Sequence, residues 1–181
     1  LVAMVHSNNG TTDLNAWVNL FKEFADSIGA DVDMNQMYGT LYNKALEGDA
    51  DCGGILSYGN YAGEPITNVE KGRPMVVRTP ETKFNLANFM RSHLYTALGV
   101  IKVGMDILTK DEGVEIDTVL GHGGLFKTKG VGQKILADAI NTPVVVMETA
   151  GEGGPWGMAI LAEYMVKREE GEKLEDYLKN K

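Results

Sequence analysis

The feature that most constrains this sequence is a unit of strand, glycine-rich turn and helix that occurs twice in succession. The first unit covers 118–120, 121–130 and 131–140, and the second covers 143–147, 151–154 and 155–166. Strands that alternate with helices in this way form parallel sheets with helices packed on their faces. We therefore predict an α/β fold whose glycine turns lie at the carboxyl ends of neighbouring strands.

The part of the chain before these units also alternates between helical and strand-like patterns. Apolar residues recur every three or four positions in three segments, which predicts helices over 13–28, 34–46 and 85–108. Shorter apolar runs predict strands at 2–6, 52–58 and 75–78. The charged tail at 168–181 predicts a solvated surface helix.

Composition excludes several classes of function. A length of 181 residues suits one domain, which we take as 1–181. A formal net charge of −8 argues against binding to nucleic acid or to an anionic membrane, and no apolar stretch approaches the ~20 residues of a membrane span. The single cysteine, Cys52, cannot form an internal disulfide, so we expect a reducing, cytoplasmic location. Because the chain begins without an initiator methionine, we expect it to be part of a longer protein.

Two explanations fit the glycine turns. Glycines allow tight turns and close packing of a helix on a strand. They also expose backbone N–H groups at a helix N-terminus, where a phosphate group binds, and Lys127 and Lys129 add positive charge beside the first turn. For a single turn the two explanations are equally good. Two such turns on successive strand ends favour a nucleotide site.

Two common phosphate-binding motifs are absent. A Walker A loop needs Lys and then Ser or Thr directly after its second glycine, whereas Gly130 is followed by Val131. A dinucleotide-binding fingerprint needs a third glycine that GHGGLF (121–126) lacks, and it belongs to a first strand–helix turn, not to one this late in the chain. A dinucleotide-binding dehydrogenase domain is therefore the weakest of the alternatives.

Segment 121–144, GHGGLFKTKGVGQKILADAINTPV, resembles the adenosine motif of the FGGY carbohydrate kinases, which include xylulokinase, ribulokinase and glycerol kinase. The matching positions are Gly121, Gly123, Gly124, Gln133, Ala137, Asp138, Pro143 and Val144. Segment 148–162 resembles the closing glycine loop and helix of the family, and 8–21 resembles a helix start that meets the nucleotide from the other side. Segment 53–67 resembles its Gly-Glu-x-x-Pro loop without the usual Arg, and 88–105 its long helix without the usual acidic residue.

This resemblance implies the C-terminal domain of such a kinase, with a three-layer ribonuclease H-like fold of the actin and hexokinase type and a mixed, largely parallel sheet. It implies ATP as the nucleotide, with Mg²⁺ bound through it. It implies a sugar substrate, a pentulose such as xylulose, which an N-terminal domain outside this chain would hold. It implies nucleotide contacts from Gly121, Gly123, Gly124, Leu125, Phe126 and Lys127, with Gly10 and Thr12 opposite. The fragment alone is expected to be inactive, and its exposed interdomain surface to favour self-association, with a homodimer as one outcome.

No catalytic or metal-binding residue is predicted in this chain. Asp138 lies within a predicted helix, whereas Glu148 and Glu152 are the carboxylates near the second glycine turn, where either solvent or a hydrated Mg²⁺ could contact them. His93 lies in the apolar stripe of the long helix, which favours a hydrogen-bonded core histidine, and His122 lies inside the first turn. An alternative to the kinase is a non-catalytic, actin-like module that binds nucleotide for assembly or regulation.

Overall fold

The computed structural model of the protein describes residues 4–148 and 150–179. Its helices are α1 (Thr12–Ser27), α2 (Met34–Ala45), α3 (Leu86–Asp106), α4 (Val131–Ile140), α5 (Gly153–Lys167) and α6 (Leu174–Leu178). Its strands are β1 (Leu56–Tyr58), β2 (Met75–Val77), β3 (Val119–Gly121) and β4 (Val144–Val146). Single turns of tighter or wider helix lie at Cys52–Gly54, Pro65–Thr67, Ile107–Asp111, Gly124–Phe126 and Ala150–Glu152.

The helices predicted from apolar spacing are confirmed, with ends close to the predicted bounds. The charged tail is different, because only Leu174–Leu178 is helical among its described residues. The strand predicted at 2–6 falls partly on residues outside the described range, and residues 4–6 form no strand. The strand predicted at 52–58 is shorter, since Cys52–Gly54 forms a helical turn in which Gly53 has a φ of 60°.

The strands pair as two separate two-stranded sheets. β1 and β2 are antiparallel, with Ser57 opposite Val76. β3 and β4 are parallel, with Leu120 opposite Val145, as expected for two successive strand–helix units. The fold is α/β, but the three-layer arrangement around one mixed sheet is not confirmed, because the two pairs do not join within the described residues.

Helix α3 is the centre of the core. It contacts α2, α4, α1 and β1, and its inward side chains include Phe89, Met90, Leu94 and Leu98, which are almost completely buried. Its start is fixed by Asn85, whose side chain accepts a hydrogen bond from the Asn88 N–H. Burial of this apolar stripe places one side of α3 between α1 and α2 and another against α4.

The two ends of α1 differ in how they are capped. At its end, Gly29 has a φ of +74°, a conformation that glycine adopts without strain. The Gly29 N–H donates to the Asp26 carbonyl oxygen (3.0 Å) and the Ala30 N–H to that of Ala25 (2.9 Å), which is the pairing of a Schellman motif. At its start, Thr11 occupies the N-cap position but makes no capping bond with its side chain. The Thr11 hydroxyl therefore remains available at the start of the helix.

None of the helices in the described residues is suited to cross a membrane. In residues 4–148 and 150–179, no helix combines the length and the hydrophobicity that crossing a bilayer requires.

Candidate functional site

The first glycine turn forms one wall of a cleft of about 670 Å³. This volume lies within the range of ~300–1,000 Å³ that is usual for small-molecule sites. The opposite wall comes from the start of α1 and from α2, and the floor comes from α3. The lining residues are Gly10, Thr11, Asn15, Asn35, Tyr38, Tyr42, Ala97, Leu98, Ile101, His122, Gly124, Leu125, Phe126, Lys127 and Thr128.

The wall formed by the first glycine turn begins where β3 ends. Gly123 has a φ of +104°, which a residue with a side chain rarely adopts, and it leads into the helical turn Gly124–Phe126. The first hydrogen bond of this turn runs from the Phe126 N–H to the Gly123 carbonyl oxygen (3.1 Å). The N–H groups of Gly124 and Leu125 are therefore not used within the turn, and two such donors in sequence can bind an anion.

Gly121 has a different role from the other glycines of this turn. It is buried, and a Cβ atom added to it would lie 2.9–3.0 Å from three carbon atoms of the Phe126 ring. The missing side chain thus lets the Phe126 ring pack against the end of β3. Because Phe126 itself lines the cleft, Gly121 shapes the wall without forming part of it.

Polar and aromatic side chains form the opposite wall. The Tyr38 hydroxyl of α2 donates a hydrogen bond to Asn15 Oδ1 of α1 (3.0 Å), which ties the two helices together at the cleft. The rings of Tyr38 and Tyr42 meet edge to face, with centroids 5.6 Å apart. Burial raises the pKa of both phenols, so both hydroxyls are protonated at neutral pH.

The second glycine turn packs behind the first. A Cβ atom on Gly153 would lie 2.8 Å from His122 Nδ1, and one on Gly151 would lie 2.9 Å from Lys127 Cε. The Lys127 ammonium pairs with Glu152 across 3.2 Å, although both side chains are largely exposed. The two turns that the sequence analysis singled out are thus in contact, and they bring a cation to the mouth of the cleft.

The described residues do not build a metal site. Within this part of the chain, no group of three histidine, cysteine, aspartate or glutamate side chains could hold a metal ion. Glu148 is exposed, and Glu152 is paired with Lys127. Mg²⁺ keeps several water ligands in most protein sites and is commonly held through substrate phosphates, so it does not require a cluster of protein ligands.

The residues that the sequence analysis assigned to the nucleotide fall into two groups. Those that line the cleft are Gly10, Gly124, Leu125, Phe126 and Lys127, whereas Gly121, Gly123 and Thr12 do not. At the start of α1 it is Thr11 that lines the cleft, and Thr12 is exposed. Adjacent residues of a helix point about 100° apart, so a shift of one position changes the direction of the side chain.

Sequence reasoning missed the lining residues of α1, α2 and α3. These are Asn15, Asn35, Tyr38, Tyr42, Ala97, Leu98 and Ile101. No local motif distinguishes them, because each lies in an ordinary helical pattern. The two polar–aromatic positions of α2, Tyr38 and Tyr42, are four residues apart and could have been recognised as one face of that helix.

One family of known proteins matches most of this chain. The family model described as "FGGY family of carbohydrate kinases, C-terminal domain" matches residues 1–166. No curated protein matches the chain.

Three solved structures with a similar fold are carbohydrate kinases. Ligand-bound xylulose kinase from Lactobacillus acidophilus is 18% identical with a TM-score of 0.60, covering 90% of this chain and 31% of that chain. Gluconate kinase from the same organism is 19% identical with a TM-score of 0.62 and the same coverage. Plasmodium falciparum glycerol kinase with ADP is 20% identical with a TM-score of 0.59, covering 89% of this chain and 30% of that one. The chain therefore spans about a third of the length of these structures.

Proposed function

Because this chain belongs to the FGGY family of carbohydrate kinases, we propose that it is the ATP-binding domain of an enzyme that transfers the γ-phosphoryl group of Mg·ATP to a hydroxyl group of a sugar. The observation that carries the proposal is the cleft between the first glycine turn and the start of α1. The ADP-bound glycerol kinase among the structures of the same fold supports an adenine nucleotide as its occupant.

Each wall of the cleft has a proposed contact with the nucleotide. The N–H groups of Gly124 and Leu125 donate to phosphate oxygens, and Lys127 adds positive charge beside them. The side chains of Leu125 and Phe126 lie against the adenine ring, with Gly10 opposite. Among the other residues that the resemblance implied, Gly121 and Gly123 act by shaping the turn.

We propose Thr12 as a secondary contact, because it lies next to Thr11. It is the first residue of α1 and exposed, so its hydroxyl can reach a ligand only at the rim of the cleft. We propose Thr11 as the principal hydroxyl on this wall, because it lines the cleft and makes no capping bond.

The contribution of this domain to phosphoryl transfer is binding and orientation. A phosphoryl acceptor must lie in line with the terminal phosphate, and water must be kept away from it. We propose that the walls described here hold the nucleotide, and that another domain supplies the base and the sugar contacts. The described residues build no metal site, so we propose that Mg²⁺ enters bound to the phosphate oxygens.

We propose a pentulose such as xylulose as the sugar, in a cytoplasmic enzyme. The sequence resemblance and the xylulose kinase of the same fold support a pentulose, while gluconate and glycerol kinases share the fold. The complete kinase should be assayed for ADP release with xylulose, ribulose, gluconate and glycerol in parallel. A specificity constant for gluconate or glycerol above that for both pentuloses would reject the pentulose part of the proposal.

The nucleotide part is tested by calorimetric titration of the chain. ADP and ATP, each with and without Mg²⁺, are expected to bind, and NAD serves as the control. Binding of NAD without binding of ADP would overturn the proposal in favour of a dinucleotide-binding domain. Binding of neither would leave the glycines with a purely structural role in this chain.

Self-association is a separate part of the proposal. Leu20 and Phe24 on α1, and Ile28 just after it, are each at least half exposed, although they are apolar. We propose that this surface contacts another domain or a second copy, since large exposed apolar patches rarely remain free. Sedimentation velocity of the chain and of its Phe24→Ser variant, over a range of concentrations, would detect a homodimer.

A further inference from the structure

The carboxylate of Glu64 is completely buried in the loop between β1 and β2. Its Oε2 atom accepts hydrogen bonds from the Ser7 hydroxyl (2.9 Å), the Asn8 N–H (3.1 Å), the Asn9 N–H (3.3 Å) and the Asn9 side-chain amide (3.1 Å). All four donors belong to residues 7–9. One carboxylate oxygen therefore holds three successive residues that are more than 50 positions away in the sequence.

Asn9 strengthens this attachment. It is buried, and its Oδ1 atom accepts from the N–H groups of Tyr61 (2.8 Å) and Ala62 (2.9 Å). Its Nδ2 atom donates to the Ala62 carbonyl oxygen (3.1 Å). The side chain of Asn8 also donates to the Gly63 carbonyl oxygen (2.8 Å). Residues 7–9 are thus fixed to residues 61–64 by backbone and side-chain bonds in both directions.

The next two residues after this attachment, Gly10 and Thr11, form part of the cleft wall. A backbone held at residue 9 has few degrees of freedom left at residue 10, because each residue contributes only two soft dihedral angles. We infer that Glu64 is a positioning residue of the proposed nucleotide site: through residues 7–9 it sets the location of Gly10 and Thr11 opposite the glycine turn. This inference rests on the proposed function, since it concerns the same cleft.

A carboxylate suits this position better than an amide. Burial raises the pKa of Glu64, but the hydrogen bonds from Asn9, Ser7 and Asn8 outweigh it, so the pKa lies below its ordinary value and the group is ionised at neutral pH. Bonds to an ionised acceptor are stronger than bonds between neutral groups. A glutamine would keep the shape but would offer a weaker, neutral acceptor to the same four donors.

The same loop contains a matched control. Glu70 is exposed, and its side chain has no hydrogen bond or ion pair within the described part of the chain. Glu70→Gln removes the same charge from the same loop without removing a hydrogen bond to residues 7–9. A general effect of charge on a phosphate-containing ligand would appear in both variants, whereas a positioning effect would appear only in Glu64→Gln.

The test compares the dissociation constant for ADP, by calorimetry at 15 °C, in the wild type, Glu64→Gln and Glu70→Gln. We expect Glu64→Gln to bind ADP about tenfold more weakly, the scale of one lost strong hydrogen bond, and Glu70→Gln to stay within about twofold. Affinity measured far below the unfolding transition does not depend on global stability, so a merely structural role would leave it unchanged. The amide resonances of Gly10 and Thr11 in a ¹H–¹⁵N spectrum should move in Glu64→Gln without ligand.

Two further variants keep the inference testable even if Glu64→Gln does not fold. Ser7→Ala removes a single donor to Glu64 and should weaken ADP binding by about threefold, a smaller share of the same effect. Asn9→Ala and Glu64→Gln act through the same backbone segment, so the double variant should bind ADP no more weakly than the weaker single variant. If Glu64→Gln does not fold, Ser7→Ala carries the comparison by itself.

The outcomes separate this inference from the proposed function. If the wild-type chain does not bind ADP, the nucleotide assignment fails and the inference fails with it. If the wild type binds ADP while Glu64→Gln and Ser7→Ala bind it equally well, the nucleotide assignment stands and the positioning role is wrong. A lowered melting temperature with unchanged affinity would likewise reduce Glu64 to a structural residue.

Discussion

His93 Nδ1 of α3 lies 3.1 Å from Asp13 Oδ2 in the first turn of α1, and both side chains are buried. The imidazole contacts the rings of Trp17 and Phe89, whose centroids are 5.4 and 4.5 Å away. The other ring nitrogen, Nε2, is buried without a hydrogen-bond partner in the described residues. The prediction of a hydrogen-bonded core histidine is confirmed, and the pair joins the start of α1 to the central helix.

This pair predicts a pH dependence of stability. Burial lowers the pKa of His93 below its ordinary value of 6.5, and Asp13 offsets this only in part. Between the lowered pKa and 6.5 the unfolded chain binds a proton that the folded chain does not, so the free energy of unfolding decreases as the pH falls through 6.5. Urea unfolding between pH 8 and pH 5.5 should show this loss, with a slope of at most ~1.4 kcal/mol per pH unit from this group.

Substitution of His93 isolates its contribution to the pH dependence of the free energy of unfolding. His93→Gln should be less stable at pH 8 and should lose this component of the pH dependence. His122→Gln, at an exposed histidine, is the matched control and should retain the wild-type slope. A slope that persists in His93→Gln would assign the pH dependence to other groups.

Gly124→Val should weaken ADP binding with little loss of stability. A Cβ atom at Gly124 would meet no protein atom within 4 Å, so the valine has room, but that room is the cleft itself. We expect at least a tenfold increase in the dissociation constant, about 1.4 kcal/mol, measured by calorimetry. Gly157→Val in α5, where a Cβ atom also meets nothing within 4 Å, should bind ADP as the wild type does. Equal affinity in both variants would refute the assignment of this turn.

Gly121→Ala should act through Phe126. The new methyl group would lie 2.9–3.0 Å from the Phe126 ring, which must move away from the end of β3. We expect a loss of about 1–3 kcal/mol in the free energy of unfolding, the usual cost of overpacking, together with weaker ADP binding. Gly124→Ala, where nothing lies within 4 Å, provides the control for a glycine-to-alanine change in the same turn. The prediction fails if the two alanine variants are equally stable in urea.

Leu136→Asp should unfold the domain. Leu136 is 2% exposed on the inner face of α4, within the main hydrophobic core. The substitution removes a core side chain and buries an unpaired carboxylate, which together cost more than about 4 kcal/mol. Lys134→Asp, on the exposed side of the same helix, introduces the same residue without burial. Circular dichroism should show lost helicity in Leu136→Asp alone; native-like helicity in that variant would contradict the core assignment.

Local signals explain why the helices could be predicted. The period of apolar residues in α1 and α3 is a property of the sequence, and it survives because the same residues form the core. The glycine after α1 ends that helix through its own backbone freedom. The tail at 168–181 has charges but few apolar anchors, so in place of the predicted long helix only Leu174–Leu178 is helical among its described residues.

The sequence predicted most of one wall of the cleft but only Gly10 on the opposite side. Gly124, Leu125, Phe126 and Lys127 are consecutive, so one motif identifies a whole wall. The rest of the lining comes from α1, α2 and α3, between Asn15 and Ile101, and no local pattern marks these residues. On that side the resemblance implied Gly10, which lines the cleft, and Thr12, whose neighbour Thr11 lines the cleft.

The sequence by itself determined helices α1 to α5, the pairing class of β3 and β4, the α/β class and the glycine turn, because each depends on contacts between neighbouring residues or on the dihedral freedom of single glycines. The tertiary structure decided which helices face that turn, that Gly121 supports Phe126, and that Glu64 holds residues 7–9. These relationships join residues far apart in the chain, and their geometry follows from how the whole core packs, which no local segment specifies.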